Sequence, residues 1–137
     1  MIKTLTVESK KENVVAVTEF VENLLESIDC PIRNIMQISV AIDELYSNVS
    51  KYAYGESTGV VEVEVESIDE PKGVSITLRD EGIKYNPLEN EDPDISLSAE
   101  EREIGGLGIL VVKKTMDDLL YKFENGKNCV TIIKYFS

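Results

Sequence analysis

The sequence predicts a two-layer α+β sandwich, with a mixed, mainly antiparallel sheet covered on one face by helices. Three observations lead there. Two stretches near the N-terminus carry apolar residues at helical spacing, two pairs of later segments read as β-hairpins, and a long polar stretch separates those pairs. No internal repeat and no break in composition divides the 137 residues, so residues 1–137 are expected to form a single domain.

Ile2, Leu5 and Val7 predict a first strand. Residues 11–28 read as an amphipathic helix, with Val14, Val17, Val21, Leu24, Leu25 and Ile28 on one stripe. Asp29-Cys30-Pro31 breaks it, and Pro31 suits the opening of a second helix that runs to about Tyr54 and stops before Gly55. Val60, Val61, Val63, Val65 and Ile68, set against Glu62, Glu64 and Glu66, predict a strand with one wet face. Glu70-Pro71-Lys72-Gly73 turns the chain into a partner strand at 74–79. Residues 85–104 hold Pro87, Pro93 and the acidic cluster Glu89-Asn90-Glu91-Asp92. A stretch of that kind inside a compact domain is usually a lid or a binding loop. A short helix at 109–116 and a hairpin of 119–123 with 129–136, turning at Glu124-Asn125-Gly126-Lys127, complete the chain.

Composition removes several functions. A net charge of −12 argues against a nucleic-acid backbone and against an anionic membrane surface as partners. An acidic chain suits a basic protein partner, although solubility alone explains such a charge. There is no histidine, which removes the commonest general base and the commonest zinc ligand. Cys30 and Cys129 lie far apart without metal-ligand spacing and read as reduced thiols in or near the core. The first seven residues are too short and polar for a signal peptide, and no apolar run approaches the ~20 residues of a membrane span. The expected location is the cytoplasm.

Three segments carry chemistry. On the second helix Ile35, Ile38, Ile42, Leu45 and Val49 share an apolar face, while Glu44 and Asn48 sit side by side on another stripe at i,i+4 spacing. Asn48 offers an amide oxygen to a hard cation, and Glu44 a carboxylate to orient or deprotonate a hydroxyl; alternatively both are solvated surface residues. Asp80 ends a strand and is followed by Gly82, which permits close backbone approach or positive φ. A carboxylate there can accept from the exocyclic amine of adenine, or belong to an ordinary turn. Gly105, Gly106 and Gly108 precede an apolar helix, where backbone N–H groups and the helix terminus favour phosphate. The pattern is neither a Walker A loop nor a dinucleotide fingerprint.

Glu44…Asn48, Asp80-Glu81-Gly82 and Gly105-Gly106-Leu107-Gly108 together resemble the N, G1 and G2 boxes of the GHKL ATPase superfamily. Within it the chain is most similar to the anti-sigma-factor serine/threonine kinases. Asn48-Val49-Ser50-Lys51-Tyr52-Ala53-Tyr54, Tyr85-Asn86-Pro87-Leu88 and Met116-Asp117-Asp118 add to the likeness, which covers nearly the whole chain. The resemblance implies binding of ATP and Mg2+, often in a homodimer, phosphorylation of a serine on a small anti-anti-sigma protein, and sequestration of a sigma factor. It implies Glu44 as catalytic base, Asn48 as magnesium ligand and Asp80 as adenine reader with Gly82 beside it. Gly105, Gly106, Leu107 and Gly108 would contact or make room for phosphates, under an ATP lid at about 85–105. Arg102, in that lid, would neutralise γ-phosphate charge.

Three departures bear on the resemblance. Lys84 stands where many members have the second glycine of the G1 box, and Tyr52 where many have His. The first helix has no Arg for docking a partner, only Lys10 and Lys11 nearby. The leading expectation is therefore an ATP-dependent protein-serine kinase acting as a partner switch. The alternative is a nucleotide-gated binding module with little or no kinase activity. A sensor-kinase fragment fits poorly without a histidine, and a gyrase-type ATPase fits poorly without a transducer domain.

Overall fold

The computed structural model describes residues 1–89 and 106–137. Five strands, β1 (Ile2–Glu8), β2 (Val60–Ile68), β3 (Gly73–Asp80), β4 (Asp118–Glu124) and β5 (Lys127–Tyr135), form one sheet in the order β1-β2-β3-β5-β4. Every neighbouring pair is antiparallel, so the sheet is more uniform than the mixed one expected. The reason lies in the connections: hairpins join β2 to β3 and β4 to β5, and the helices return the chain to antiparallel positions.

Three helices, α1 (Val14–Ser27), α2 (Ile32–Asn48) and α3 (Gly106–Thr115), complete the second layer. Alternation along the strands decides which side they cover. Val61, Val63 and Val65 of β2, Val74, Ile76 and Leu78 of β3, and Val130 and Ile132 of β5 share a buried cluster with Val17, Val21 and Leu25 of α1 and Ile38, Ile42 and Leu45 of α2. Tyr46 lies fully buried among them and donates its hydroxyl proton toward the carbonyls of Glu8 and Lys10, which ties the end of β1 to α2.

The opposite sheet face is wet. Arg79 there reaches Glu62 at 2.9 Å and Glu64 at 3.4 Å, and Thr77 and Thr131 share a hydrogen bond of 2.8 Å. Val60 falls on this face by parity and is exposed, although its side chain is apolar. Cys30 joins the core, and burial pushes its thiol up to about 11. Cys129 is buried too, but on the parity of Thr131, so it lies beneath the wet face rather than in the main core.

Boundaries of the first two helices differ from the periodicity. The first helix opens with a 3-10 turn, Lys11–Asn13, before α1 begins. The second ends its α-helical course at Asn48 and continues as a π-helical turn, Val49–Ala53. Such turns often occur at functional sites.

Ile38→Ala should lower unfolding free energy by about 2–5 kcal/mol in urea titrations, because Ile38 is wholly enclosed. Val60→Ala, on the wet face, should stay within about 0.5 kcal/mol of the parent. Equal costs would contradict the parity assignment of β2.

Candidate functional site

Alternation along β3 places Asp80 on the same side as Val74, Ile76 and Leu78, facing the helical layer. Asp80 is only 6% exposed. A carboxylate in that position needs donors. Its Oδ1 accepts from the Gly82 amide at 2.9 Å and from Nδ2 of Asn128 at 3.0 Å. Asn128 is the register partner of Asp80 on β5, which explains how the two side chains meet. Oδ2 of Asp80 makes no hydrogen bond among the described residues.

Asn128 itself is 4% exposed and holds more than Asp80. Its Nδ2 also donates to the Ile83 carbonyl at 2.9 Å, and its Oδ1 accepts from the Tyr85 amide at 3.0 Å and the Tyr121 hydroxyl at 2.6 Å. Burial raises the Tyr121 phenol above its ordinary value, with the charges of Asp80 and Cys129 adding to it, so Tyr121 remains a donor. Asn128 was absent from the candidate residues. The parity of Val130 and Ile132 was the available signal, since it puts position 128 on the helix-facing side beside the end of β3.

Gly82 serves close approach and not a left-handed φ, which among the described glycines occurs at Gly55 and Gly126. A Cβ at Gly82 would overlap the Ala53 carbonyl. The π-helical turn leaves that carbonyl free to accept from the Ile83 amide at 2.8 Å. Tyr54 fastens the same junction, accepting from the Glu81 amide at 2.8 Å and donating to the Val60 carbonyl at 2.7 Å. Lys84 fits where a glycine was expected because its chain runs outward, with Nζ 5.3 Å from the centroid of the Phe123 ring.

These elements surround a cleft that is partly open to solvent. Leu45, Val49, Ile83 and Val130 form apolar walls, and Asn48, Asp80 and Asn128 supply polar groups. Tyr52 stands at the rim, half exposed. Apolar walls with a few fixed hydrogen-bonding groups suit a small heterocycle. The side chain of Asn48 makes no hydrogen bond to any described residue and is available to a ligand.

Glu44 does not line this cleft. It lies one helical turn before Asn48, against the first turn of α3, where a Cβ on Gly108 would overlap its carboxylate. Burial raises the Glu44 carboxyl above its ordinary value; Lys51 opposes this and Asp43 adds to it. The helix expected at 109–116 begins instead at Gly106, so Gly106, Leu107 and Gly108 form its first turn rather than a loop before it. First-turn amides lack helical partners and can face an anion. Gly105, Arg102 and most of the lid expected at 85–105 lie outside the described residues. At its start, Pro87–Glu89 forms a 3-10 turn, with Asn86 Oδ1 accepting from the Leu88 amide at 2.9 Å.

The described residues contain no cluster of three acidic, cysteine or histidine side chains able to hold a metal. Magnesium needs no such cluster, since it takes one or two protein oxygens and completes its shell with phosphates and water. The Asn48 amide, which lines the cleft without a hydrogen bond to any described residue, could supply one.

A family model described as the histidine kinase-like ATPase domain matches residues 7–134. The anti-sigma F factor of Clostridium acetobutylicum is 26% identical over 127 residues, covering 93% of this chain and 86% of that protein. The anti-sigma F factor of Clostridium beijerinckii is 31% identical over 131 residues, covering 92% of this chain and 87% of that protein. The crystal structure of the RsbU and RsbW domains of a Mycobacterium tuberculosis protein superposes with a TM-score of 0.72 over 99% of this chain at 14% identity, a likeness of fold. The chain spans 32% of that larger one.

The raised Glu44 carboxyl carries a pH signature. Between its ordinary value and the folded one the native state holds the extra proton, so stability falls as pH rises through that window. Glu44→Gln removes this ionisation. Thermal melts from about pH 4 to about pH 8 should show a shallower decline for the variant than for the parent. Superimposable pH profiles would mean that Glu44 is not desolvated.

Proposed function

The chain belongs to the histidine kinase-like ATPase domain family, with anti-sigma factors among its relatives, and on that premise we propose an ATP-dependent protein-serine kinase and anti-sigma factor. Its substrate would be a serine on a small anti-anti-sigma protein, and its other partner a sigma factor that it sequesters. The observation that carries the reading is the gathering of remote groups: Asn48 and Asp80 in one cleft, and Glu44 beside the first turn of α3.

Asp80 Oδ2 accepts from the exocyclic amine of adenine between apolar walls. The first turn of α3 faces the phosphates with its free amides. Asn48 would hold a magnesium ion, which would supply charge neutralisation at the phosphates. Glu44 takes the proton of the incoming serine hydroxyl. The seryl oxygen then bonds to the γ-phosphorus as the bond to the β,γ-bridging oxygen breaks and ADP leaves. A carboxyl raised by burial is better matched to that proton transfer near neutral pH than an exposed one. Glycine at 108 lets the helix terminus and the base stand against each other.

A second reading, a nucleotide-gated module that sequesters without phosphorylating, draws on the absence of Arg from α1. Arg102 as a neutraliser of γ-phosphate charge and a homodimeric assembly belong to the same proposal. Retrieval of partners from cytosol in ATP and then in ADP, followed by labelled-phosphate transfer to what is retained, separates the two.

Glu44→Gln should abolish phosphotransfer, by roughly a hundredfold or more, while ATP affinity stays near the parent's. Unchanged turnover would remove Glu44 as base. Asn48→Ala should weaken ATP binding in magnesium but hardly in its absence; calorimetry giving equal affinities in magnesium would remove Asn48 as the ligand.

A further inference from the structure

The carboxamide of Asn128 has two N–H donors and two acceptor lone pairs, and all four are used by protein groups. Its orientation is determined by its partners. The Ile83 carbonyl can only accept and the Tyr85 amide can only donate, so Nδ2 must face the first and Oδ1 the second. It follows that Asn128 presents an N–H to Asp80. That donor and the Gly82 amide both reach Oδ1, from β5 and from the chain just past β3. Two donors from separate directions stop the carboxylate from turning, which leaves Oδ2 as the oxygen without a partner among the described residues, in a group lining the cleft.

We propose that Asn128 is a positioning residue for base specificity, holding Asp80 so that Oδ2 selects a purine with an exocyclic amine over one with a carbonyl in its place. The inference rests on the nucleotide reading above and assigns a residue that the chemistry of that reading does not use. A fixed carboxylate oxygen only accepts. Facing a carbonyl oxygen, it meets a second acceptor, and two buried acceptors are left unpaired. A carboxyl free to rotate, or to bring a proton round to the cleft, would tolerate either base. Asn128 removes that freedom from its place on β5 beside Asp80, in the lining of the same cleft. Its donors and acceptors are fully used without a base.

The test compares binding of ATP and inosine triphosphate, which differ at the position of the amine and share ribose and phosphates. Titration calorimetry on the full chain gives the ratio of the two affinities, and thermal melts monitor folding. The parent should favour ATP by about tenfold or more. Asn128→Asp replaces the donor facing Oδ1 with an acceptor and should cut that ratio at least about fivefold, mainly by weakening ATP. Asn128→Thr, too short to span the same four partners, should cut it as well. Tyr121→Phe keeps both Nδ2 bonds and should hold the ratio within about twofold of the parent. A purely structural role would weaken both nucleotides together and leave the ratio alone, which would overturn the inference. If Asn128→Asp does not fold, the ratio in Asn128→Thr decides. A parent that binds neither nucleotide overturns the nucleotide reading and this inference with it. A parent that discriminates, with variants that discriminate equally, overturns this inference only.

Discussion

A carboxylate shut away from water has to find its hydrogen bonds in the protein, and at Asp80 that requirement organises the surroundings. One donor comes from the chain immediately downstream, the Gly82 amide, so the backbone must fold back sharply after β3. Folding back brings that segment against the end of the second helix, where only a residue without a side chain clears the Ala53 carbonyl. The other donor comes from the next strand, which gives β5 a polar residue on its helix-facing side. Leaving such a group without partners would cost several kcal/mol, a large part of what a domain of this size has in reserve. The tight turn, the glycine and the asparagine answer that one cost.

Helix α2 links the cleft to the first turn of α3. Glu44 and Asn48 are separated by four residues, about 6 Å along a helix axis, so their spacing is set by helix geometry and not by loops. The apolar face of α2 anchors the helix on the sheet through Ile38, Ile42 and Leu45, and this fixes where the polar stripe emerges. Packing and chemistry are thereby coupled: a shift of the helix on the sheet would move the carboxylate and the amide together.

Much of this was legible in the residues. The stripe of Val17, Val21 and Leu25 and the alternation of Val61, Val63 and Val65 gave the layers and their facing sides, because burial follows period. Glu44, Asn48, Asp80 and Gly108 could be put forward as candidates because each sits at a place where helix spacing or a strand end narrows the options. What escaped has physical reasons. Asn128 depends on a pairing between β3 and β5, separated by 48 residues, which no local pattern reports. The π-helical turn at Val49–Ala53 goes with a contact of the Ala53 carbonyl with the Ile83 amide, thirty residues on, which no local pattern reports. The early start of α3 at Gly106 runs against the poor helix propensity of glycine, and close packing beside Glu44 explains why Gly108 must be small.

The wide turn at Val49–Ala53 makes chain length itself a determinant at this position. A π-helical turn holds one residue more than an α-helical turn needs, so losing a single residue there would let the helix relax to regular α geometry. The relaxation would narrow the turn whose last carbonyl, that of Ala53, meets the Ile83 amide. An insertion or deletion here would therefore be tolerated by the helix and not by the cleft, the reverse of what a surface loop allows.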